Sequence, residues 1–435
     1  MLTREDNDIL TQTNCDTPMG QYFRRFWQPV ALSEELPERD GTPLRVTVMG
    51  EELVAFRDSE GRIGLVDSRC PHRGAHMYFG RNEECGLRCA YHGWQFDTRG
   101  QCIDIPTVPA DVANTLKPKA ELKHLHVAEW CDMVWVFFGE QPPELPQLDF
   151  AALPPDHYFV SKKFQQCNWA QAVEGGIDTA HFSYLHANIE DGERVGLMPS
   201  QGANEPPENG RYRWMIEDAM PQFTVLTHDS GLVMCAARQA DNQQLYWRMT
   251  QFMMPNHSMA PNSFPGDNHV GNTWVPVDDH SCWIYCYAYN PQRPLSDKER
   301  QAYADGFGIF AEVDEHFVPI RRRENEYLLD RDMQQHGNFT GIAGISEQDA
   351  AIADSQGLIA DRTRELLGQT DLGVVRFRKL MLAAADAVQA GETPKGADQA
   401  AAYRVRSGDA MSDTATPALE VAIKRFGELA GVNLA

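Results

Sequence analysis

The chain contains 435 residues, of which 42% are hydrophobic, so it can bury the cores of two or three domains. Its formal net charge of −23 argues against a nucleic-acid partner, because phosphate binding requires clustered lysine and arginine. Apolar runs such as residues 133–138 are too short to cross a bilayer, and no apolar stretch of signal-peptide length follows the arginine pair at 24 and 25. The ten cysteines form no disulfide-like framework, so we expect a soluble cytoplasmic protein.

Residues 27–140 are predicted to form a compact β-rich module. Short runs of β-branched and aromatic residues alternate with turns, and the strands are expected at residues 44–49, 52–56, 63–66 and 133–138. A proline-rich segment at 141–146 follows the last of these strands and indicates a domain boundary.

Two loops of this module carry Cys70, His72, Cys89 and His92 in the pattern C-x-H-x16-C-x-x-H. Two thiolates on one iron and two imidazoles on the other form the ligand set of a Rieske 2Fe–2S cluster. A zinc site can use the same residue types, but zinc sites favour pairs of cysteines and pairs of histidines, whereas each loop here mixes one of each. The pattern favours the cluster, and it predicts that the chain carries electrons.

The pattern beyond the boundary predicts a mixed α+β domain. We expect a helix over residues 168–187, alternating strands over 209–290 and further helix over 297–335. Residues 394–416 are rich in small residues and are predicted to form a loose connection. In the last helix, Leu419, Ile423 and Phe426 have helical spacing, which predicts a face docked on a core.

A second candidate metal site lies in the predicted helix at 168–187. Glu174, Asp178 and His181 are spaced at i, i+4 and i+7, which would place them on one face of an otherwise apolar helix. His186 follows five positions after His181, so both imidazoles can reach one metal only if the helix end bends or the metal lies between turns. Two such histidines are more often core or surface residues. A cluster that delivers single electrons needs an acceptor, however, and two histidines with a carboxylate can hold ferrous iron.

Together, the motifs C-x-H-x16-C-x-x-H and D-x-x-H-x4-H resemble those of the Rieske non-heme iron aromatic ring-hydroxylating oxygenases, over nearly the whole chain. The resemblance implies an α+β fold with a β-rich Rieske domain and a catalytic domain of the helix-grip type, an antiparallel sheet flanked by helices. We expect residues 1–26 to pack on the catalytic domain, residues 27–140 to form the Rieske 2Fe–2S domain, and residues 141–435 to form the catalytic domain with a mononuclear Fe(II).

The resemblance implies that His181 and His186 bind this iron together with a carboxylate far downstream in a helix. Asp349 is the preferred third ligand, because residues 350–367 resemble the late helix of the family. Asp354 and Asp361 are the alternatives.

Asp178 takes a separate role in the family. It bridges the cluster of one subunit and the iron of its neighbour by accepting a hydrogen bond from a cluster histidine, here His92. The resemblance therefore implies a homotrimer or a hexamer of stacked trimers. Many family members have an asparagine directly after the glutamate of this helix, whereas Gly175 and Gly176 follow Glu174 in this chain. A weak fourth contact to the iron is thus absent.

Residues 17–27, 66–75 and 338–342 resemble the homo-oligomeric branch that contains phthalate dioxygenase. An aromatic dicarboxylate requires a flat apolar pocket with two fixed cations, and arginine suits this task because its planar fork pairs bidentately with carboxylate. The resemblance points to substrate-binding residues in the predicted strand region and on the iron helix: Arg211, Arg248 and Ser183, with Arg213 and Arg238 as further candidates.

The implied function is that of an oxygenase component that converts phthalate to its cis-4,5-dihydrodiol. Electrons would come from NADH through a separate FMN and iron–sulfur reductase, since no nucleotide-binding glycine fingerprint follows a strand in this chain. Three alternatives remain. The substrate could be 3-chlorobenzoate or isophthalate, the reaction could be an O-demethylation, or the protein could be a Rieske electron carrier without oxygen chemistry.

Overall fold

Two short helices begin the chain in the computed structural model, which describes residues 1–196, 210–261, 267–427 and 434. Helix α1 spans Arg4–Thr11 and helix α2 spans Pro18–Phe23. The side-chain oxygens of Thr3 and Thr17 accept hydrogen bonds from the first turns of these helices, which satisfies amides that have no partner within a helix.

Residues 28–137 form three small antiparallel sheets, with strand orders β1-β10-β9, β2-β3-β4 and β5-β6-β7-β8. A buried cluster that includes Val54, Phe56 and Phe96 fills the space beneath the second and third sheets. The predicted β-rich module is therefore confirmed. Its elements are β1 (Gln28–Leu32), β2 (Leu44–Val48), β3 (Glu51–Arg57), β4 (Ile63–Asp67), β5 (Arg81–Glu83), β6 (Gly86–Arg88), β7 (Gln95–Phe96), β8 (Cys102–Asp104), α3 (Ala110–Leu116), β9 (His126–Trp130) and β10 (Met133–Phe137).

The rest of the chain builds a large antiparallel sheet with strand order β11-β19-β18-β17-β16-β15-β14, and β20 pairs with β16 beside this path. Helices cover the sheet, and β12 and β13 form a separate hairpin. The elements are β11 (Tyr158–Gln165), α4 (Trp169–Ile177), β12 (Asn188–Glu190), β13 (Glu193–Val195), α5 (Arg211–Glu217), β14 (Gln222–His228), β15 (Gly231–Gln239), β16 (Gln244–Met253), β17 (His257–Met259), β18 (His269–Pro276), β19 (Cys282–Tyr289), α6 (Asp297–Ala304), α7 (Arg331–His336), α8 (Ile345–Ser355), α9 (Leu372–Gln389), β20 (Gly408–Asp413) and α10 (Ala418–Phe426). Among the helices that the structure describes, none has both the length and the apolarity that a membrane span requires.

A line of aromatic contacts fixes the position of α4 between the N-terminal segment and the sheet. The ring of Phe23 on α2 packs edge-on against Trp169 at the start of α4, with 4.8 Å between centroids. Trp169 contacts Phe377 on α9, which packs on Phe252 of β16 at 4.9 Å. All four rings are buried, and pairs of this kind stabilise a core beyond the burial of their area. Helix α4 is thereby held against the sheet.

The predicted helix over residues 168–187 is wrong in its second half, because α4 ends at Ile177. Asp178 is extended, and its carboxylate accepts hydrogen bonds from the amides of Ala180, at 2.9 Å, and His181, at 3.3 Å. The Asp178 side chain thus supplies a hydrogen-bond acceptor for the next amides, which would otherwise bond to helix carbonyls, and this favours the end of the helix. Glu174, Asp178 and His181 therefore do not share a helix face.

Three other predictions of secondary structure are corrected. Residues Arg211–Glu217 form helix α5 rather than a strand, with Trp214 and Ile216 buried. The loose connection contains β20, which is rich in polar and small residues and becomes a strand through its partner β16 rather than through its own pattern. Within residues 297–335, α6 and part of α7 are helical, and turns fill much of the rest.

The last helix, α10, docks on the sheet through a different face from the predicted one. The buried residues are Ala418, Val421, Ala422 and Phe426, whereas Leu419 and Ile423 are exposed. Phe426 is buried as predicted, while Ala418 and Ala422 take the places expected for Leu419 and Ile423.

Glu174 on α4 is the centre of a buried ion-pair network. Its carboxylate accepts hydrogen bonds from Arg378 at 2.7 Å and Arg362 at 3.0 Å, and Arg378 also binds Glu365. Burial would raise the pKa of Glu174, but the two guanidinium groups outweigh it and lower that pKa. The network joins α4 to α9 and to the segment between α8 and α9.

Glu174→Gln should lower the free energy of unfolding by about 3 kcal/mol, because it leaves two buried guanidinium groups with one carboxylate fewer. The wild-type contribution is present above the unfolded pKa of Glu174 and should be lost as the pH falls through its lowered folded pKa. Urea unfolding of the intact protein measures both effects. The control is Glu217→Gln, which removes an exposed pair with Arg213 and should cost at most about 1 kcal/mol. Equal losses in the two variants would contradict the assigned role.

Candidate metal centres and substrate pocket

Cys70 and Cys89 begin two matching turns in the β-rich module. In each turn the cysteine carbonyl accepts a hydrogen bond from a glycine amide four residues later, Gly74 at 2.8 Å and Gly93 at 2.9 Å. Both glycines have positive φ angles, 71° and 73°, which a residue without a Cβ adopts without steric cost. The two turns therefore present a buried thiol and a following histidine from two facing loops.

The histidines of these turns lie together at the surface of the module. The rings of His72 and His92 are 4.4 Å apart between centroids, and His72 stacks on Trp94 at 4.5 Å. Nδ1 of His72 is buried and has no hydrogen-bond partner among the described residues. A buried ring nitrogen without a partner is costly unless it binds a metal, so this residue set fits the ligands of a cluster.

Cys70 and Cys89 are each at most 3% exposed. Burial raises the pKa of Cys70 to about 11, and Cys89 raises it as well, while the backbone amide of His72 opposes them. Thiolates at this position therefore need a bound cation, as cluster irons provide.

His181, His186 and Asp349 form a second group, in which one ligand atom of each residue lies within 4.8 Å of the other two. Nε2 of His181 lies 3.1 Å from Nε2 of His186, and Oδ1 of Asp349 lies 3.5 Å and 3.3 Å from these two nitrogens. His181 begins a single 3₁₀ turn after the end of α4, and Asp349 lies on α8. The break after Ile177 brings the two imidazoles to one point.

Hydrogen bonds at the far side of each ring fix the tautomers. Nδ1 of His181 lies 3.0 Å from the carboxylate of Asp178, and Nδ1 of His186 lies 2.7 Å from Oε1 of Gln348. The amide nitrogen of Gln348 donates to the carbonyl of Ile342, so its oxygen faces the ring. In the neutral rings both Nδ1 atoms therefore carry the proton, and each Nε2 then has a lone pair available for a metal. Burial would lower the pKa of His181, but Asp178 and Asp349 outweigh it and raise that pKa, so a proton at Nε2 competes with a metal ion.

Two neutral imidazole nitrogens and a carboxylate oxygen within 3.5 Å of one another need a cation between them, which is either a proton or a metal ion. Burial would raise the pKa of Asp349, but His186 and His181 outweigh it and lower that pKa. Two histidines and one carboxylate are the ligand set of non-heme ferrous sites, in which further positions stay open for other ligands. The residues present thus fit a mononuclear iron.

A pocket opens beside these three residues. Strands β11, β18 and β16 form one wall of the pocket. Each contributes two side chains that are two positions apart, because alternate side chains of a strand face the same side of the sheet. Its helical wall comes from α4 and α8. The residues that line the pocket include Lys163, Gln165, Gly175, Gly176, Asp178, Thr179, His181, Phe182, Arg248, Thr250, Asn272, Trp274, Ile309, Ser346 and Asp349.

Comparison with known families accounts for nearly the whole chain. Residues 26–124 match the family described as the Rieske [2Fe–2S] domain, and residues 134–418 match the family described as LigXa C-terminal domain like. The chain is 38% identical to the phthalate 4,5-dioxygenase oxygenase subunit of Pseudomonas putida, over 92% of this chain and 90% of that protein.

The chain belongs to the Rieske non-heme iron oxygenases. It is a terminal oxygenase subunit, and its cofactors are a Rieske 2Fe–2S cluster and a mononuclear iron. The oxygenase is also 35% identical to the 3-chlorobenzoate-3,4-dioxygenase oxygenase subunit of Comamonas testosteroni, over 93% of both chains. It is 29% identical to the 5,5'-dehydrodivanillate O-demethylase oxygenase subunit of a Sphingobium strain, over 91% of this chain and 83% of that protein.

Solved structures show the same fold at low identity. NdmB of Pseudomonas putida CBB5 superimposes with a TM-score of 0.58 at 20% identity, over 89% of this chain and 96% of that one. Dicamba monooxygenase bound to 3,6-dichlorosalicylic acid superimposes with a TM-score of 0.57 at 17% identity, over 85% and 99% of the two chains. The predicted fold, a β-rich Rieske domain with a sheet-and-helix catalytic domain, is confirmed.

The two alternatives to Asp349 lie elsewhere in the oxygenase. Asp354 is buried and accepts hydrogen bonds from the hydroxyl of Tyr327 and from Gln165, at 3.3 Å from the latter. Asp361 accepts a hydrogen bond from Thr363. Neither belongs to the group formed by the two histidines and Asp349.

The structure separates the three predicted substrate-binding residues. Arg248 lines the pocket, but the described lining does not include Arg211 or Ser183. The Arg211 guanidinium pairs with Asp267 at 3.1 Å and lies 3.5 Å from Asp409. The hydroxyl of Ser183 is buried and donates to the carbonyl of Met215 at 2.6 Å. Arg211 and Ser183 thus have other partners in this structure.

The two further arginine candidates also differ. Arg213 is on the surface and pairs with Glu217 and Asp241. Arg238 is fully buried and donates to the carbonyl of Thr179 at 2.6 Å. Burial, and then the charge of Arg248, lowers the pKa of Arg238 to about 10.

The two glycines of α4 have different surroundings. A Cβ on Gly176 would lie 2.4 Å from the ring of Trp274, so glycine is required for this approach of helix and sheet. A Cβ on Gly175 would meet nothing within 4 Å, so this position adds open space to the pocket.

Gln348 and Lys163 were missed by the sequence prediction. Gln348 directly precedes Asp349, but no motif marks a glutamine as the partner of a histidine 162 positions away. Lys163 lies in an alternating strand, and only the strand order shows that it faces the pocket.

Gln348→Leu should weaken binding of the mononuclear iron by about 10- to 100-fold, because His186 loses the acceptor that fixes its tautomer. Iron analysis before and after dialysis against a mild chelator measures the loss, and the visible spectrum should show an unchanged 2Fe–2S cluster. Gln348→Glu keeps an acceptor and should retain more iron than the leucine variant. Equal retention in both variants and the wild type would contradict the role of Gln348.

Proposed function

We propose that His181, His186 and Asp349 hold the mononuclear iron, and that Cys70, His72, Cys89 and His92 hold the 2Fe–2S cluster. The contact of two bare imidazole nitrogens with a carboxylate oxygen supports the first assignment, since it needs a cation. The unpartnered Nδ1 of His72 supports the second. We also propose the domain division expected from the sequence, with residues 1–26 packed on a catalytic domain that begins near residue 141.

We propose that the oxygenase dihydroxylates an aromatic dicarboxylate, phthalate, to its cis-4,5-dihydrodiol. The position of Arg248 in the pocket supports this proposal most directly. It is buried in the pocket wall, its Nε donates to Oγ1 of Thr179 at 3.0 Å, and its guanidinium lies over the ring of Phe182 at 4.4 Å. Its cross-strand neighbour Asp409 is buried and interacts with its charge, but no carboxylate oxygen of the described residues lies within 4.0 Å of the guanidinium. A substrate carboxylate would supply the direct partner that a buried arginine favours.

Electrons would come from NADH through a separate reductase with FMN and an iron–sulfur centre, because the relatives are oxygenase subunits of multicomponent systems. We propose that His92 of one subunit approaches Asp178 of its neighbour in a homotrimer or a hexamer of stacked trimers. Within the single chain, Asp178 binds the amides of Ala180 and His181 and the ring of His181. The Asp178 carboxylate would then connect the iron ligand His181 to the cluster ligand His92 of the neighbouring subunit, and electrons would pass between the two metals along this path.

The bound iron supplies activation of O2 with electrons from the cluster. The side chains of the pocket bind and orient the substrate. Arg248 holds a carboxylate of the ring, and Thr179 fixes its guanidinium so that little ordering remains on binding. Trp274 and Ile309 supply apolar surface for the ring and limit the entry of water. Asp178 and Gln348 accept the Nδ1 protons of the two rings, so that Nε2 of each ring faces the iron.

A meta-substituted benzoate is the second candidate substrate. The 35% identity with a 3-chlorobenzoate dioxygenase subunit, over 93% of both chains, is close to the identity with the phthalate enzyme. One fixed arginine is enough for a monocarboxylate. Isophthalate and O-demethylation are further alternatives within the same chemistry.

Product analysis with a reductase and NADH tests these proposals. We expect a cis-dihydrodiol from phthalate, and slower or no oxidation of isophthalate and 3-chlorobenzoate. If only 3-chlorobenzoate gives a product, the enzyme is a dioxygenase for a meta-substituted benzoate. If a methoxybenzoate gives formaldehyde, the reaction is an O-demethylation.

Arg248→Ala should raise the KM for phthalate by about 10- to 100-fold, because a charge-assisted hydrogen bond to the substrate is lost in a buried site. Oxidation of benzoate should change much less if its single carboxylate can bind elsewhere in the pocket. Arg248→Lys, which keeps the charge, serves as the control. Steady-state kinetics of product formation measure the change, and equal effects on both substrates would contradict a specific role of Arg248 in binding phthalate.

Asp178→Asn should keep both metals yet strongly reduce product formation, because the carboxylate that links His181 to the neighbouring cluster is neutralised. Stopped-flow reduction would show whether the cluster still accepts electrons from the reductase. Re-oxidation of the reduced cluster by O2 and substrate should then be slow. Full turnover of this variant would remove Asp178 from the electron path.

A further inference from the structure

We propose that the carboxamide of Asn272 forms a neutral subsite in the pocket, which takes a hydroxyl at the edge of the aromatic ring opposite the carboxylates. The dihydrodiol product of the proposed reaction carries its hydroxyls at this edge. The inference deepens the proposed function and rests on it.

Asn272 is a buried carboxamide without a partner. It lies on β18, lines the pocket and is 6% exposed. Its Oδ1 is buried and accepts no hydrogen bond from any residue that the structure describes. Leaving such a group unpaired is costly, and a ligand in the pocket would offset that cost.

Asn268, just before the same strand, shows how this protein satisfies a buried asparagine that has a structural role. It is 4% exposed, and its Nδ2 donates to Glu299 at 2.7 Å and to the hydroxyl of Tyr303 at 2.9 Å. Its Oδ1 accepts a hydrogen bond from Asn290 at 2.9 Å. Asn272 has similar burial but faces the pocket with no such partners.

The two strands beside β18 do not supply a partner for Asn272. On β17 the residue opposite is Ser258, whose hydroxyl accepts a hydrogen bond from the indole nitrogen of Trp274 at 3.0 Å. On β19 the residue opposite is Cys286, whose thiol donates to the carbonyl of Ile309 at 3.5 Å. The pocket is the side from which Asn272 can gain a partner.

A hydroxyl pairs with this carboxamide in either orientation of the amide. Oδ1 needs a donor, and if the oxygen and nitrogen exchange places the NH2 group needs an acceptor. A carboxylate only accepts, whereas a hydroxyl both donates and accepts. Because Asn272 is neutral, it also leaves the carboxylate of the substrate to Arg248.

The sheet places Asn272 at a suitable distance from Arg248. Only β17 lies between their strands, so the two strands are about 10 Å apart across the sheet. Phe252, which lies opposite Ser258, is four positions along β16 from Arg248, or about 13 Å. The long side chain of Arg248 covers part of this separation. An aromatic ring with a carboxylate at one end and a hydroxyl at the other covers the rest.

Equilibrium binding to the iron-loaded enzyme tests the subsite without turnover. Isothermal titration calorimetry compares phthalate, 4-hydroxyphthalate and 4-methylphthalate, of which the last two have substituents of similar size. The wild type should bind the hydroxyl ligand about 10-fold more tightly than the methyl ligand. Asn272→Leu, which keeps a similar volume but removes the carboxamide, should lose this preference and still bind phthalate.

Asn268→Leu is the matched control. It should keep the preference for the hydroxyl ligand, but it should lower the urea midpoint of unfolding because its partners lose their hydrogen bonds. Asn272→Leu should leave that midpoint unchanged or raise it, since no hydrogen bond within the described chain is lost.

The outcomes separate the subsite from the proposed function. If the wild type shows no preference for the hydroxyl, or if Asn272→Leu keeps it, Asn272 pairs with water only and the subsite is wrong, while the proposed function stands. If the variant loses all three ligands to the same extent, Asn272 shapes the pocket and the subsite is again wrong. If the wild type binds none of the three ligands, the proposed function fails and the subsite fails with it.

Discussion

The close approach of two imidazole nitrogens and a carboxylate oxygen is the constraint on which the catalytic half of this oxygenase depends. These three atoms lie within 3.5 Å of one another, an arrangement that needs a cation, and the outer hydrogen bonds hold both rings with Nε2 toward the shared point. The fold must hold this arrangement from two directions. Helix α4 stops at Ile177 so that both histidines can turn to one point, and α8 brings the carboxylate from the other side. The buried pairs of Glu174 with Arg362 and Arg378 fix α4 in place.

The same helices meet the sheet in a way that produces the pocket. Gly176 allows α4 to approach Trp274, and Gly175 leaves space next to it. Alternation along β11, β18 and β16 then determines which side chains face that space. The cations of the pocket are buried and fixed by neutral partners, Thr179 for Arg248 and Ser346 with Ile309 for Lys163. An anion could therefore bind either cation directly, without first breaking an ion pair within 4.0 Å among the described residues.

Local features of the fold could be predicted from the sequence, because they depend on residues close together in the chain. The turns of Cys70 and Cys89 are each built within five residues, and the β-rich module follows from its short alternating strands. Asp349 came from family resemblance rather than from its surroundings. The break at Asp178 was missed, because a side chain that competes with the helix backbone leaves no signal in the apolar periodicity. Lys163, Gln348 and β20 depend on strand order and on contacts between distant segments, which a single sequence does not encode locally.

An iron count most directly tests the claim that His181, His186 and Asp349 hold the mononuclear iron. The wild type should contain about three irons per chain, two in the cluster and one in the mononuclear site. Asp349→Ala should contain about two, with an unchanged EPR signal from the reduced cluster, whereas Asp354→Ala should keep all three. Two irons in the wild type, or a loss of the third iron in Asp354→Ala but not in Asp349→Ala, would contradict this account.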